Sequence, residues 1–444
     1  MKESVSILGS GLVGSLLSLL LAQRGHAVQV YEGRSDPRQN GYSGGRSINL
    51  ALSDRGWRAL EAAGLAPQIR ALAIPMHGRM MHSASGELTY QPYGQAGQSI
   101  YSVSRGLLNM ALMDAAEQFD QVRYHFNQRC TEVDLKTRLV TLQTTDGELA
   151  QIQSEILIGS DGAFSALRQA MQRTDRYNYT QHYISYGYKE LTIPAHPDGT
   201  HQLEKHALHI WPRQNFMLIA LPNPDGSFTC TLFFPFEGEP SFASLVDHDA
   251  AAQFFQAHFA DAIALMPDYL AEYFLNPTGS LVTVRCDPWV YDDHTALIGD
   301  AAHAIVPFYG QGMNCGFEDC RILIEKLEQF GEWAPALQAY QQDRTANANA
   351  IADLALQNFV EMRDLVGDPK FLLRKKIEAK LHQLFPEQWI PLYTMVSFSH
   401  LPYKEALRIG QLQDAIMQRV MQADAIETQW EQLDFAAIVA QLKS

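Results

Sequence analysis

Asp300 is an oddly placed acid. It follows the apolar run Thr295-Ala-Leu-Ile298 and opens Gly299-Asp-Ala-Ala-His-Ala-Ile-Val-Pro-Phe-Tyr-Gly310-Gln-Gly312-Met-Asn314, with no metal spacing and no nucleophile–base pair around it. The arrangement asks what a carboxylate at a strand end, followed by glycine-exposed backbone, can hold. A related stretch, Asp161-Gly-Ala-Phe-Ser165-Ala-Leu-Arg168, follows the apolar run Ile156-Leu-Ile158. The third is Gly9-Ser-Gly11-Leu-Val-Gly14, with Glu32 ending the next strand 18 residues after Gly14. There the glycines permit a tight turn, close approach of a pyrophosphate to backbone N–H groups and close helix–strand packing, and Glu32 can accept from ribose hydroxyls. This is a dinucleotide-binding pattern, and by itself it does not choose between NAD and FAD.

These residues need elements to carry them. Val5 to Leu8 and Ala27 to Tyr31 read as strands around a helix from Gly11 to Gln23, a βαβ opening. Asp54 to Ala63 is a predicted helix with Asp54 as its N-cap and Gly64 behind it. Gly106 to Phe119 reads as another helix, and Glu155 to Ile158 as a short buried strand. Between about 176 and 285 the texture changes to alternating strand-like runs, 206–211, 216–221 and 228–234, two of them separated by the turn signal Asn223-Pro-Asp-Gly226. From Cys315 onward helical patterns dominate. The expected fold is α/β: a Rossmann-like dinucleotide-binding domain (1–72, 98–175 and 286–365), an inserted, mainly β substrate domain (73–97 and 176–285) and a C-terminal helical region (366–444).

The 444 residues suffice for two or three packed lobes. A net charge of −15 opposes nucleic acid and anionic membrane surfaces, and favours a small, locally steered ligand. Five cysteines without a CxxC read as free thiols of a reducing compartment, so a cytoplasmic location is expected. The apolar stretch Ser4 to Ala22 is interrupted by spaced glycines and runs straight into another strand, unlike an export signal.

Taken together, the three motifs resemble those of the flavoprotein hydroxylases, the aromatic monooxygenases similar to para-hydroxybenzoate hydroxylase. In that group the GD aspartate, here Asp300, accepts from the ribityl chain of FAD, and the glycines after it admit backbone to the pyrophosphate and isoalloxazine. The DG motif at Asp161 lies near the cofactor and serves flavin and nicotinamide. Further blocks narrow the likeness, among them Gly45-Arg-Ser-Ile-Asn-Leu-Ala-Leu-Ser53, Ile74-Pro-Met-His-Gly-Arg79-Met, Gln91-Pro-Tyr93-Gly, Ser102-Val-Ser-Arg105, Asn358-Phe-Val-Glu-Met362 and Ile390-Pro-Leu-Tyr393. They resemble the kynurenine 3-monooxygenase family from about residue 4 to 403.

That resemblance implies FAD as cofactor, NADPH and dioxygen as co-substrates, and L-kynurenine, an intermediate of tryptophan degradation, as the molecule hydroxylated. It implies cofactor contacts at Gly9, Gly11, Val13, Gly14, Glu32, Arg46, Ala51, Arg105, Asp161, Asp300, Gly312, Met313 and Asn314. Arg79 and Tyr93 would hold the substrate carboxylate, a role suited to a planar guanidinium fork and a phenol. Asn358 and Tyr393 would complete the head-group site, with Phe308 and Met362 beside them. No catalytic acid or base is singled out, since the aniline nitrogen itself activates the ring carbon. Another flavin hydroxylase or a non-catalytic flavin protein remain alternatives; the six scattered tryptophans do not form the Trp-x-Trp-x-Ile-Pro block of flavin halogenases.

The ring end asks for apolar walls that keep water out. Leu208, Ile210, Met217, Ile219, Leu221 and Phe233 alternate along the strand-like runs, so one sheet face can line such a pocket. Pro307, Phe308 and Tyr309 are placed to pack over the flavin. His196, His201, His206 and His209 lack ligand partners at metal spacing, and no metal is expected. His303 reads as structural or near the flavin and not as a general base, and Lys404 to Ser444 as packing helices without a membrane anchor.

Overall fold

Val5–Leu8 is buried along its whole length and pairs in parallel with Val28–Tyr31 on one side and Ile156–Gly159 on the other. A strand covered on both faces must be apolar throughout, and this one (Val-Ser-Ile-Leu) nearly is. These belong to a six-stranded sheet running Val290–Tyr291, Thr295–Leu297, Ile156–Gly159, Val5–Leu8, Val28–Tyr31, Val122–His125; only the first of these strands is antiparallel to its neighbour. The helix Leu12–Ala22 is buried almost all round, because the helices Arg105–Ala116 and Gly312–Phe330 close its outer side. The computed structural model describes residues 3–39, 49–94, 97–362 and 368–443.

A seven-stranded sheet forms the second layer, in the order Gly279–Asp287, Asn178–Ile193, Phe228–Pro235, Met217–Pro222, Ala207–Pro212, Gly78–His82, Leu88–Pro92. Strict alternation sorts its residues. Leu218, Ala220, Cys230, Leu232 and Phe234 face a core shared with Phe254, Phe255 and Phe259, while Met217, Ile219, Leu221, Thr231 and Phe233 face the opposite way, into a cavity. The phenylalanines come from helices absent from the mainly β expectation: His248–His258, Ala260–Ile263 and Tyr269–Leu275 cover the outer face of this sheet. The segment 73–97 is divided. Ala73–Met76 joins Asn49–Leu52 and Ile100–Ser104 in a three-stranded sheet, and the two strands after it extend the large one.

At the helix expected to begin with Asp54 as its cap, Ser53 is the N-cap and Asp54 the first helical residue, where its charge still suits the positive helix end. The long helix Trp333–Val360 leads to Pro369–Leu384, Leu392–Ser397 and Tyr403–Val420. Apolar residues of Trp333–Val360, Leu392–Ser397 and Tyr403–Val420 pack with Phe308, Tyr309 and Cys315, whereas Ile377 and Leu381 of Pro369–Leu384 pack with Trp389, Ile416 and Met417 in a separate core. No helix among the described residues is long and apolar enough to cross a membrane.

Candidate functional site

Three strand ends converge on one cavity of about 920 Å³. Gly9 has φ +96°, and a Cβ there would fall 2.7 Å from Ser160 O. At Gly14 a Cβ would meet Gly9 O at 2.1 Å, so this glycine is required by helix–turn packing and does not itself reach the cavity. Gly11 is the opposite case: nothing of the protein lies within 4 Å of its missing Cβ, and the residue lines the cavity at the N-terminus of Leu12–Ala22. The backbone is therefore bare where a helix end offers N–H groups to an anion.

Glu32 lies on the cavity wall, tied down by its neighbours. Its carboxylate accepts from Ser10 N (2.9 Å), Arg34 N (2.9 Å) and Arg34 Nε (2.9 Å). Burial pushes this carboxyl up, but the Arg34 guanidinium and those backbone donors outweigh it and hold it down at about 2. Asp161 is half-buried at the cavity, and desolvation raises its pKa above the ordinary carboxylate value. One of its oxygens accepts from Ala166 N (2.7 Å) while Oδ1 has no hydrogen-bond partner among the described residues.

Asp300 begins the short helix Asp300–His303 and lines the cavity. It follows Gly299, whose φ is +61° and whose Cβ would strike Val13 Cγ2 at 2.9 Å. Gly312 and Met313 present the N-terminus of Gly312–Phe330 to the same space, a second helix end aimed at it. Val13, Ala51 and Arg105 also line it, and Arg46 lies outside the described residues. Asn314 does not line it. Its side chain is spent inside the wall, donating to Ala51 O and Gly310 O (both 2.8 Å) and accepting from Ser53 N (2.9 Å), which locks the loop before the helix.

The other end of the cavity carries the cation. The Arg79 guanidinium lies 4.7 Å from the Tyr393 ring centre and 5.4 Å from that of Tyr93, and the two phenol rings are nearly parallel, 5.5 Å apart. Arg79 has no ion pair among the described residues, and its Nε has no hydrogen-bond partner. A half-buried guanidinium facing an open cavity, with no ion pair among the described residues, has the chemistry to take a carboxylate. Met362 lines the same end. Asn358 stands next to the cavity wall. Its amide donates to Phe308 O at 2.7 Å and to Met362 Sδ at 3.3 Å, so among the described contacts its N–H groups brace the wall. Phe308 packs between Phe233 (4.9 Å) and Phe359 (4.3 Å). Of the apolar sheet residues expected at the ring end, Leu208, Met217, Ile219, Leu221 and Phe233 line the cavity, and Ile210 is buried beside it.

Beneath Asp300 is a network that no motif announces. Asp319, fully buried, accepts from His303 Nε2 (2.5 Å), Arg344 Nε (2.7 Å) and Gly299 N (3.3 Å). Glu318 takes Arg344 (2.6 Å) and Arg55 (2.9 Å), and Arg55 in turn donates to Val396 O and Leu401 O at the C-terminal helices. His303, Cys315 and Asp319 bring three ligand-type atoms within 4.8 Å of each other, but Arg344 already occupies the cationic place, 3.3 Å from Cys315 Sγ. The only sequence hint is a Glu-Asp pair set between Cys315-Gly-Phe317 and Cys320 on the helix Gly312–Phe330, since buried acids demand cationic partners.

The shape suits a flavin dinucleotide. Bare glycines and two helix N-termini line the cavity, the acids Glu32, Asp161 and Asp300 stand along its wall, and apolar sheet residues and Arg79 line it beyond. A family profile described as FAD binding domain matches residues 2–355. Curated relatives named kynurenine 3-monooxygenase include those of Myxococcus xanthus (52% identical, covering 94% of this chain and 90% of the relative), Flavobacterium johnsoniae (50%; 96% and 95%) and Dictyostelium discoideum (46%; 96% and 94%). Among solved structures, 2-methyl-3-hydroxypyridine-5-carboxylic acid oxygenase superposes with a TM-score of 0.66 at 19% identity over 83% of this chain and 94% of that one. PqsL from Pseudomonas aeruginosa gives 0.63 at 21% identity, over 82% and 97%.

Proposed function

Because this chain belongs to the kynurenine 3-monooxygenase family, we propose that it hydroxylates L-kynurenine to 3-hydroxy-L-kynurenine, with FAD as cofactor, NADPH as reductant and dioxygen as oxygen source. The carrying observation is the continuity of one cavity from the glycine cradle at Gly9 and Gly11 to the unpaired cation at Arg79. A single void thus offers a dinucleotide seat and an aryl amino-acid seat end to end.

Bound flavin supplies the redox chemistry, taking two electrons from NADPH and passing one atom of dioxygen to an aromatic carbon. The chain's own residues bind, orient and dry the reactants. Gly9, Gly11 and the helix N-termini at Leu12 and Gly312 hold the pyrophosphate, and Asp300 accepts from the ribityl hydroxyls. Glu32, already charged and oriented by Arg34, accepts from the adenosine ribose. At the far end Arg79 takes the kynurenine carboxylate, with the Tyr93 and Tyr393 phenols beside it. Met217, Ile219, Leu221, Phe233 and Phe308 keep water from the ring. No side chain has to remove a proton before oxygen transfer, because the ring amine already enriches its ortho carbon. The protein then contributes mainly by positioning.

A cytoplasmic site of action is in keeping with five free cysteines, four of them buried. The deciding experiment mixes purified, flavin-loaded protein with NADPH, with and without L-kynurenine, and follows nicotinamide oxidation together with product mass. Kynurenine-dependent NADPH consumption with a gain of one oxygen is expected. A yellow protein that oxidises NADPH without any oxygenated product would overturn the substrate.

A further inference from the structure

The cavity wall that receives the aromatic ring contains one polar side chain that the protein leaves unsatisfied. Thr231, on Phe228–Pro235, is 1% exposed and lines the cavity, and its Oγ1 has no hydrogen-bond partner among the described residues. Its neighbours on that face are apolar: Ile219 directly opposite in the register, Leu221 and Met217 along the same strand, and Phe233 two residues on. An unpaired buried hydroxyl is destabilising, and valine would fill the same β-branched shape without it. The hydroxyl is therefore best explained by a ligand that satisfies it.

Register fixes where it stands relative to the cation. Thr231 pairs with Ile219, Ile219 with Ile210, and Ile210 with Met81, two residues along from Arg79. With strands about 4.8 Å apart and a rise of about 3.4 Å per residue, Thr231 and Arg79 are about 16 Å apart at Cα on the same sheet face. An arginine side chain reaching inward and an amino acid extended through a ketone to an aryl ring together span such a gap. With its carboxylate on Arg79, kynurenine thus brings its ring to Thr231.

The ring amine of an ortho-aminoaryl ketone has two N–H bonds. One closes internally on the ketone oxygen; the other points outward, beside the carbon that is hydroxylated. We infer that Thr231 Oγ1 accepts this outward N–H and so fixes which edge of the ring meets the cofactor, making Thr231 a positioning and specificity residue for the reaction. An amine donating outward also stays planar and conjugated with the ring, the state that enriches the ortho carbon. The inference rests on the kynurenine reading above.

The test compares flavin-loaded wild type with Thr231→Val and Thr231→Ser. It uses L-kynurenine and its analogue lacking the ring amine, 2-amino-4-oxo-4-phenylbutanoic acid, and reads equilibrium binding and product formed per NADPH. One neutral hydrogen bond corresponds to roughly five- to tenfold in affinity. Thr231→Val should weaken kynurenine by about that factor and lower product per NADPH, bind the analogue as wild type does, and be rescued by Thr231→Ser. Equal losses for kynurenine and analogue, or wild-type kynurenine affinity in Thr231→Val, would overturn the assignment. Failure of the wild type itself to bind and hydroxylate kynurenine would instead overturn the substrate reading, and this inference with it.

Discussion

His303 Nε2 lies 2.5 Å from Asp319 Oδ2, with both side chains closed off from solvent. The same carboxylate accepts from Gly299 N and from Arg344, so one buried acid anchors the turn that presents Asp300 to the cavity. Burial would raise the Asp319 carboxyl, but the charges of His303 and Arg344 outweigh it and hold it below its ordinary 3.8. Burial would lower His303, yet the Asp319 charge outweighs it and raises the imidazole well above 6.5.

Asp319→Asn removes the anion shared by two buried cations, and should destabilise the fold by about 3–5 kcal/mol in denaturant titration. The pH dependence separates the partners. The stabilisation due to the lowered Asp319 is present above 3.8 and fades as pH falls through its folded value; that due to the raised His303 is complete below 6.5 and fades as pH climbs through its folded value. The stability gap between wild type and His303→Gln should therefore be widest between about pH 4 and 6.5 and shrink on the alkaline side. A gap that widens on the alkaline side would contradict a protonated His303.

Gly14 and Gly11 separate folding from cofactor binding. Gly14→Ala drives a Cβ into Gly9 O at 2.1 Å, backbone that cannot rotate away, and should lower stability by at least about 1–3 kcal/mol even without flavin. Gly11→Ala meets no protein atom, so its stability should stay within about 1 kcal/mol of wild type. Its methyl projects into the proposed pyrophosphate seat, and flavin retained after dialysis should fall sharply. Full flavin occupancy in Gly11→Ala would remove that seat from this helix end.

Why some of this is legible in the sequence and some is not follows from range. The cradle at Gly9 to Gly14 is local: turn, helix start and acid all lie within one βαβ unit, so spacing alone announces it. The apolar wall is readable because strand parity is strict, and Leu208, Met217, Ile219, Leu221 and Phe233 all fall on one face. Asp319 gives no such signal, since its partners are 16, 20 and 25 residues away and only tertiary folding brings them together. Likewise, nothing local distinguishes Thr231 from any β-branched strand residue, and only the absence of a partner in the folded chain marks it. Asn358 and Asn314 stand in the expected neighbourhood, and carbonyls of the wall take N–H groups from both amides, contacts that only the folded chain reveals.

Arg79→Ala should abolish tight kynurenine binding while leaving flavin bound. Removing one partner of a buried, charge-assisted contact costs about 2–5 kcal/mol. The guanidinium stands beside the stacked Tyr93 and Tyr393 rings, away from the glycine cradle, so visible flavin absorbance per protein should not change. Arg79→Lys should recover little, because an ammonium lacks the planar fork that meets a carboxylate with two bonds. An unchanged binding isotherm for Arg79→Ala would move the carboxylate elsewhere in the cavity.

Asn358 offers two outcomes that differ in kind. If its amide met the substrate head group, Asn358→Ala would raise the kynurenine KM and leave product per NADPH intact. In the structure that amide instead holds Phe308 O at 2.7 Å, and Phe308 is the aromatic wedged between Phe233 and Phe359 over the ring chamber. Losing the donor leaves a buried carbonyl unpaired, at a cost of about 1–3 kcal/mol, and loosens the wall that excludes water. The expected phenotype is uncoupling: NADPH consumption persists, hydrogen peroxide rises at the expense of hydroxylated product, and KM changes little. Measuring peroxide, product and KM on the same preparation decides between the two, and a raised KM with full coupling would return Asn358 to the substrate.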